Sequence, residues 1–246
     1  MYERALSPIR IGGLEIRNRI ARTAHATMMA RDGKITDELI AYHLARAQGG
    51  VGLTILEAAG VHPSAVLSLA NLDDTIIDGY RRLATAIAPT GMRLFQQLWH
   101  GGHIYMQPDG SPPLAPSTVP SPIAGVAPRP FTLRQIDELV AAYGAAARRV
   151  EKGGLDGVEV HAGHGYLAQS ARSCDFGHLG EHVGNGLVVV DDRPCEERRS
   201  APIRERRYEP WRFEWGSDRL LEPEFFGHRV RDRQSGDGTT GIGGSA

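Results

Sequence analysis

The sequence predicts an α/β protein built as an incomplete (β/α)8, or TIM, barrel of about four βα units, followed by an irregular, disordered tail. Two observations carry this prediction: strand-like and helix-like stretches alternate over residues 1–167, and the composition changes after residue 167. Strands that alternate with helices pair in parallel through right-handed crossovers. A doubly wound sheet shows the same alternation, but no Gly-x-Gly-x-x-Gly follows the first strand, so a barrel is favoured.

Each predicted element has its own pattern. Short apolar runs predict buried strands over 19–25, 51–57, 92–98 and 156–161. Apolar residues at helical spacing predict helices over 36–48, 76–88 and 132–152. Thr36 and Thr132 are expected to cap the first and third helices, and Pro89 to end the second. In the third helix the residues expected to face inward are Ile136, Leu139, Val140, Tyr143 and Ala147.

One connection is unusually long. Residues 104–131 contain eight of the 15 prolines in the chain. Such a length exceeds an ordinary βα loop, so the segment is either a flap that covers a substrate or a proline-stiffened surface excursion.

The composition excludes several classes of protein. A net charge of −1 gives no electrostatic reason to bind nucleic acid or an anionic membrane surface. No apolar run approaches the ~18 residues of a membrane helix, and no apolar signal core follows Met1. Two cysteines cannot form a disulfide framework. We therefore expect a soluble cytoplasmic protein whose partner is a small molecule and whose oligomeric state is open.

Polar and small residues follow the predicted strands at 25–27, 57–60, 100–103 and 161–166. A barrel builds its active site at these strand ends. His161 and His164 are three residues apart, so two imidazoles there can donate hydrogen bonds to an oxygen that gains negative charge. The hydroxyl of Tyr166 can supply a proton in the transition state.

Other interpretations of these residues stay open. Any one histidine can be a packing residue. His100-x-x-His103 and His161-x-x-His164 could together surround a zinc ion, which would make the protein a metal-dependent TIM-barrel hydrolase, although no carboxylate accompanies either pair. Gln97, mid-strand among apolar neighbours, is either a satisfied core amide or a ligand contact.

Three motifs together resemble a known family. They are Leu14-Glu15-Ile16-Arg17-Asn18-Arg19-Ile20, Gln97-Leu98-Trp99-His100-Gly101-Gly102 and Asp156-Gly157-Val158-Glu159-Val160-His161-Ala162-Gly163-His164-Gly165-Tyr166-Leu167. In order and spacing they resemble the old yellow enzyme family of FMN-dependent oxidoreductases, over about 1–167. The stretch 23–26 is more similar to the branch of 2,4-dienoyl-CoA reductase and trimethylamine dehydrogenase. The resemblance implies FMN held over the strand ends, with NADH or NADPH as reductant. The reduced flavin would pass hydride to the β-carbon of an activated alkene, such as an enone or an enoyl thioester.

The resemblance also implies roles for individual residues. His161 and His164 match the pair that holds the substrate carbonyl oxygen, and Tyr166 matches the proton donor. The residues expected to contact the flavin are Ala24, His25 and Ala26 through their backbone, Gly60 by close approach to the ring, and Gln97 at the pyrimidine edge. The sequence departs from the family at three places. Ala26 stands where some relatives have a cysteine, so a noncovalent flavin is expected. His103 stands where an arginine is common, and the iron–sulfur cysteine cluster of the nearer branch is absent.

Residues 168–246 differ from the rest. They hold 24 hydrophobic residues in 79, or 30%, against 77 in the first 167, or 46%. They contain no lysine but many arginines, and no family motif returns. This excess of arginine, glycine and proline is what an out-of-frame reading of GC-rich codons gives, so we hypothesise a frameshift near residue 168; a genuine divergent domain is the alternative. The phosphate loops of such barrels follow strands 7 and 8. We therefore expect the chain as written to be a fragment of doubtful activity that either purifies without flavin or aggregates through its open strand edges.

Overall fold

The computed structural model describes residues 2–175 and the backbone of residues 187–188. The helices are α1 (Glu3–Leu6), α2 (Asp37–Gln48), α3 (Ile76–Ile87), α4 (Leu133–Lys152) and α5 (Leu167–Asp175). The strands are β1 (Ile9–Ile11), β2 (Leu14–Ile16), β3 (Ala21–Arg22), β4 (Leu53–Gly60), β5 (Leu69–Ala70), β6 (Arg93–Trp99), β7 (Leu114–Ala115), β8 (Arg129–Pro130), β9 (Gly157–Val160) and β10 (Leu187–Val188).

The central sheet has the strand arrangement of a barrel. Strands β3, β4, β6 and β9 lie side by side in chain order, and each pairs in parallel with the next. Among the strands that the structure describes, this order does not reverse, as it would at the switch point of a doubly wound sheet. The expected four βα units are therefore confirmed. The strand β5 pairs in parallel with the end of β4, and β10 pairs antiparallel with β9.

The three long helices cover one face of the sheet, where α2 packs beside α3 and α3 beside α4. Thr36 and Thr132 cap α2 and α4 as expected, because each hydroxyl accepts the amide of the residue three positions on. Pro89 lies in a 3-10 turn that follows α3. Between helices and sheet lies the main core, with Tyr80 and Leu83 of α3 at its centre.

One helix prediction is wrong. Ile136 of α4 is 39% exposed, although its spacing placed it on the inward face. The buried residues of α4 begin at Leu139, so the first turn of the helix extends beyond the sheet that the rest of the helix covers.

The other face of the sheet is closed at the bottom of the half-barrel by the β1–β2 hairpin. Ile16 of the hairpin packs on Leu53, Ile55 and Phe95 of β4 and β6. Arg17 fixes this hairpin, since its guanidinium donates to several carbonyls of the helix–strand connections: Ala47 at 2.9 Å, Val51 at 2.8 Å and Thr90. The first of the three family-like motifs thus holds the barrel floor.

Two segments differ from expectation. The first strand was predicted over 19–25, but only Ala21 and Arg22 pair with β4, because the chain then leaves the ladder and Thr27 bonds a side chain instead. Within the proline-rich segment, β7 and β8 pair in parallel through two residues each and form a small two-stranded sheet. This pairing is compatible with both interpretations of the segment, a flap that covers a substrate and a surface excursion.

Beyond the predicted boundary at residue 167, helix α5 continues to Asp175. The remainder of the predicted irregular tail, apart from β10, lies outside the described residues. No helix in the part of the chain that the structure describes is long and apolar enough to cross a membrane.

Candidate active site

The loop that follows β9 brings His161, His164 and Tyr166 together. His161 extends the strand ladder, with its amide bonded to the carbonyl of Leu98 at 2.9 Å. His164 and Gly165 have φ angles of +59° and +78°, and this left-handed turn folds the chain back on itself. The ring centroid of His161 lies 5.0 Å from that of His164 and 4.7 Å from that of Tyr166. The three predicted catalytic side chains therefore share one site.

Hydrogen bonds indicate which nitrogen of His161 carries its ring proton. The Gly163 amide donates to Nδ1 of His161 at 3.4 Å, which leaves the ring proton of His161 on Nε2. That Nε2 lies 3.3 Å from Nδ1 of His164, which can accept its proton. Burial, helped by the neighbouring His164, lowers the pKa of His161 to about 4. At neutral pH His161 is thus an uncharged donor.

Tyr166 lies against a buried aromatic ring. The edge-on contact with Trp99 has a centroid distance of 5.5 Å, and Trp99 is 1% exposed. Burial raises the pKa of Tyr166, and the nearby Tyr105 adds to the shift. The phenol is therefore protonated at neutral pH, as a proton donor must be.

Gln97 faces a carboxylate inside the half-barrel. Its Nε2 donates to Oε1 of Glu159 at 2.6 Å, and the two residues are register partners on β6 and β9. Burial raises the pKa of Glu159. Gln97 can therefore still be either a core amide or a ligand contact. One N–H is bonded to Glu159, whereas the second N–H and the amide oxygen remain available to a ligand.

The segment expected along the flavin is held by a buried acid. Ala24 packs against the interior cluster, whereas His25 and Ala26 are exposed. Immediately after them, the backbone amide and the hydroxyl of Thr27 both donate to Glu57, which is 1% exposed. The other carboxylate oxygen of Glu57 accepts from Ser68 at 2.8 Å. Glu57 therefore sets the course of this segment.

Gly60, expected close to the flavin ring, already has a close neighbour in its own chain. A Cβ at this position would lie 2.2 Å from the carbonyl oxygen of Ala65. The backbone turn after β4 is thus sufficient reason for glycine here, and an approach of the flavin stays a prediction.

The arrangement does not gather four imidazoles around a metal. Nε2 of His100 lies 2.9 Å from the hydroxyl of Ser64, while His103 approaches the carbonyl of Val119 at 3.4 Å. Across the described residues no three histidine, cysteine or acidic side chains are placed to share a metal ion.

Sequence reasoning assigned no role to Glu57, Glu159 or Tyr105. Glu57 and Glu159 are acidic residues within apolar strand runs. Because burying an unpaired carboxylate is costly, an acid at such a position indicates a buried partner, and this signal could have identified both. For Tyr105, no sequence signal pointed to its contact with the site, because it lies at the start of the long excursion.

Comparisons with known proteins agree with this geometry. The chain matches the model of the NADH:flavin oxidoreductase / NADH oxidase family over residues 5–184. It is 40% identical over 165 residues to an NADH oxidase of Thermoanaerobacter brockii, a match that covers 64% of this chain and 25% of the relative. The chain therefore spans about a quarter of that protein's length.

Solved structures show the same fold. A 2-naphthoyl-CoA reductase complex superposes with a TM-score of 0.63 and 29% identity, over 68% of this chain and 28% of that one. An old yellow enzyme homologue from Zymomonas mobilis superposes with a TM-score of 0.58 and 30% identity, over 66% of this chain and 49% of that one. The four parallel strands match part of these TIM barrels, and the chain belongs to the NADH:flavin oxidoreductase / NADH oxidase family.

Proposed function

We propose that this chain carries flavin-side and substrate-side residues of an FMN-dependent oxidoreductase. The whole enzyme would pass hydride from NADH or NADPH, through the flavin, to an activated alkene. The observation that supports this most is the cluster of His161, His164 and Tyr166 at one strand end, with His161 uncharged and Tyr166 protonated. A hydrogen-bonding pair beside a proton donor suits a carbonyl conjugated to a carbon–carbon double bond.

Members of this family use FMN with a nicotinamide nucleotide, and the donor set of this chain fits the ring of that cofactor. Gln97 offers an N–H and an oxygen beside Glu159, which matches the alternating donors and acceptors of a pyrimidine edge. The exposed backbone of His25 and Ala26 can lie along the ring. The phosphate group is expected on loops after later strands, and we assign it to none of the described residues.

Bound FMN would supply the hydride. The side chains of this chain would do the rest: His161 and His164 would hold the substrate carbonyl oxygen, which becomes negatively charged as the β-carbon is reduced. Because His161 is uncharged, it would stabilise that charge by hydrogen bonding from Nε2. To do so it must exchange its present contact with His164 for the substrate. Tyr166 would deliver its hydroxyl proton to the α-carbon.

The pair of imidazoles determines the substrate class. The pair would bind a carbonyl oxygen, and it makes no contact that selects the second substituent of that carbonyl. Enones and enoyl thioesters both satisfy it. The similarity to a 2-naphthoyl-CoA reductase favours testing thioesters alongside simple enones.

The experiment uses a gene with the family reading frame restored after codon 168. We expect a yellow protein that oxidises NADH or NADPH when an enone or enoyl thioester is supplied. His164→Ala should slow alkene reduction by about 10²–10³-fold and leave flavin reduction by the nicotinamide intact. His62→Ala removes an imidazole outside the site and serves as the matched control. A colourless protein that contains stoichiometric zinc, or equal alkene rates in the His164→Ala variant, would contradict the proposal.

We also propose that the 246-residue chain itself is a non-catalytic fragment whose residues 168–246 are read out of frame. The composition of residues 168–246, rich in arginine and without lysine, supports this, and the family match itself runs on to residue 184. Resequencing the DNA around codon 168 tests the frame. Stoichiometric FMN retained by the 246-residue chain through gel filtration would overturn the fragment hypothesis.

A further inference from the structure

A second tyrosine stands beside Tyr166 on the same aromatic support. Trp99 makes edge-on contacts with both, at centroid distances of 5.2 Å to Tyr105 and 5.5 Å to Tyr166, each at 86°. The two tyrosine rings are 6.1 Å apart and inclined by 43°. Because Trp99 is 1% exposed, this support is fixed by the core.

The backbone makes room for Tyr105 at this place. Gly101 has ordinary helical dihedral angles, so no unusual conformation requires a glycine there. A Cβ on Gly101, however, would lie 2.8 Å from Cβ of Tyr105 and 3.0 Å from Cζ2 of Trp99. The missing side chain is what allows Tyr105 to fold back over Trp99 after the 3-10 turn Gly102–Ile104.

Tyr105 also acts electrostatically on Tyr166. Burial is the main cause that raises the pKa of Tyr166, and the neighbouring Tyr105 adds to it. The other titratable rings that face Tyr166 are His161 at 4.7 Å and His164 at 6.3 Å. His161 is an uncharged donor at neutral pH, so it is a poor source of protons for a phenolate. Tyr105 is only partly buried, so its ring keeps contact with solvent.

We propose that Tyr105 is a relay residue that returns a proton to Tyr166 after Tyr166 has protonated the substrate. The proposal rests on the proposed function of Tyr166 as proton donor. In the first step the O–H bond of Tyr166 breaks and a C–H bond forms at the substrate α-carbon. In the second, the O–H of Tyr105 gives its proton to the Tyr166 oxygen, and water at the surface reprotonates Tyr105. Only protons move, so no further oxidant or reductant is required.

The first test uses the 246-residue chain without flavin. Fluorotyrosine incorporated throughout brings tyrosine ionisation into a milder pH range, and the ¹⁹F signal of Tyr166 is identified by its loss in Tyr166→Phe. In Tyr105→Phe, the ring remains on Trp99 but the hydroxyl is gone. We expect Tyr166 to titrate at a lower pH in that variant, while Tyr2→Phe, which alters an exposed tyrosine, leaves the titration unchanged. An identical titration in Tyr105→Phe would overturn the relay, since it would show that Tyr105 only packs.

Gly101→Ala provides an independent variant that retains both hydroxyls. The added methyl group should push Tyr105 away from Trp99 and shift the Tyr166 titration in the same direction. In the frame-restored, flavin-loaded enzyme, Tyr105→Phe should lower kcat for alkene reduction, change its pH profile and leave KM unchanged. An unchanged kcat and pH profile there would overturn the relay, whereas an unaffected rate in Tyr166→Phe would instead contradict the proposed function.

Discussion

Gln97 and Glu159 meet across two neighbouring strands, with Nε2 of the amide 2.6 Å from Oε1 of the carboxylate. Both are nearly fully buried inside the half-barrel. Burial raises the pKa of Glu159, and the bond from Gln97 only partly opposes that shift. A carboxyl group whose folded-state pKa is raised favours the folded state while it is protonated, and its ionisation costs stability as the pH rises.

Glu159→Gln should remove this cost. The contribution of Glu159 to the free energy of unfolding should fall as the pH rises from about 4.5, the ordinary value for this group, to above its raised pKa. We therefore expect the stability of Glu159→Gln, relative to that of the unsubstituted chain, to increase over this range. Urea unfolding at pH 5 and pH 8 measures it. The exposed Glu15→Gln is the control. Equal pH dependence in the Glu159→Gln variant and in the unsubstituted chain would show that Glu159 is ionised without cost.

His43 should make the protein sensitive to acid. It is fully buried in α2, neither ring nitrogen has a hydrogen-bond partner, and burial, with Arg22 and Arg46 nearby, lowers its pKa to about 3. Between pH 6.5 and 3 the unfolded chain therefore binds a proton that the folded chain excludes, and stability is lost as the pH falls. The expected loss is about 1 kcal/mol per pH unit.

His43→Leu keeps the approximate volume and removes the titrating group, so the unfolding midpoint in urea should depend less on pH between 7 and 5. His25→Leu alters an exposed imidazole and should leave that dependence as it is. The same acid sensitivity in His43→Leu as in the unsubstituted chain would contradict the assignment to His43.

Glu57→Ala should release the segment that precedes Thr27. The substitution leaves the amide and hydroxyl of Thr27 and the hydroxyl of Ser68 without their acceptor. We expect a loss of about 2–4 kcal/mol in unfolding free energy and faster hydrogen exchange at the Thr27 amide. Thr27→Val removes one of these donors and should cost about 1 kcal/mol, with the amide still protected. Slow amide exchange at Thr27 in Glu57→Ala would show that another group holds the segment.

Gly60→Ala tests whether the fold or the flavin requires a glycine at this position. Because a Cβ would meet the Ala65 carbonyl at 2.2 Å, the flavin-free chain should already lose about 1–3 kcal/mol of stability. Gly144→Ala, in helix α4 with only a side-chain atom of Arg148 nearby, is the control and should cost nothing. If Gly60→Ala unfolds at the same urea concentration as the unsubstituted chain, the glycine is not required by the fold, and the flavin becomes the better reason for it.

The sequence by itself determined the order and type of the elements that carry the site. Apolar runs bounded by glycine, helical spacing and the caps at Thr36 and Thr132 depend on local chemistry, and the structure has four parallel strands in chain order as they predict. His161, His164 and Tyr166 lie within six residues of each other, so one turn suffices to bring them together.

The tertiary structure decided what surrounds these residues. Thr27 leaves the first strand early because Glu57, thirty residues away, captures it, and Gln97 is paired by Glu159 across a strand register that no local pattern shows. Tyr105 and Tyr166 are brought together by packing on the same ring, that of Trp99. The periodicity of apolar residues in the sequence predicts which side of a helix or strand is buried. Which residue each buried side chain contacts depends instead on how packing brings distant strands and loops into register.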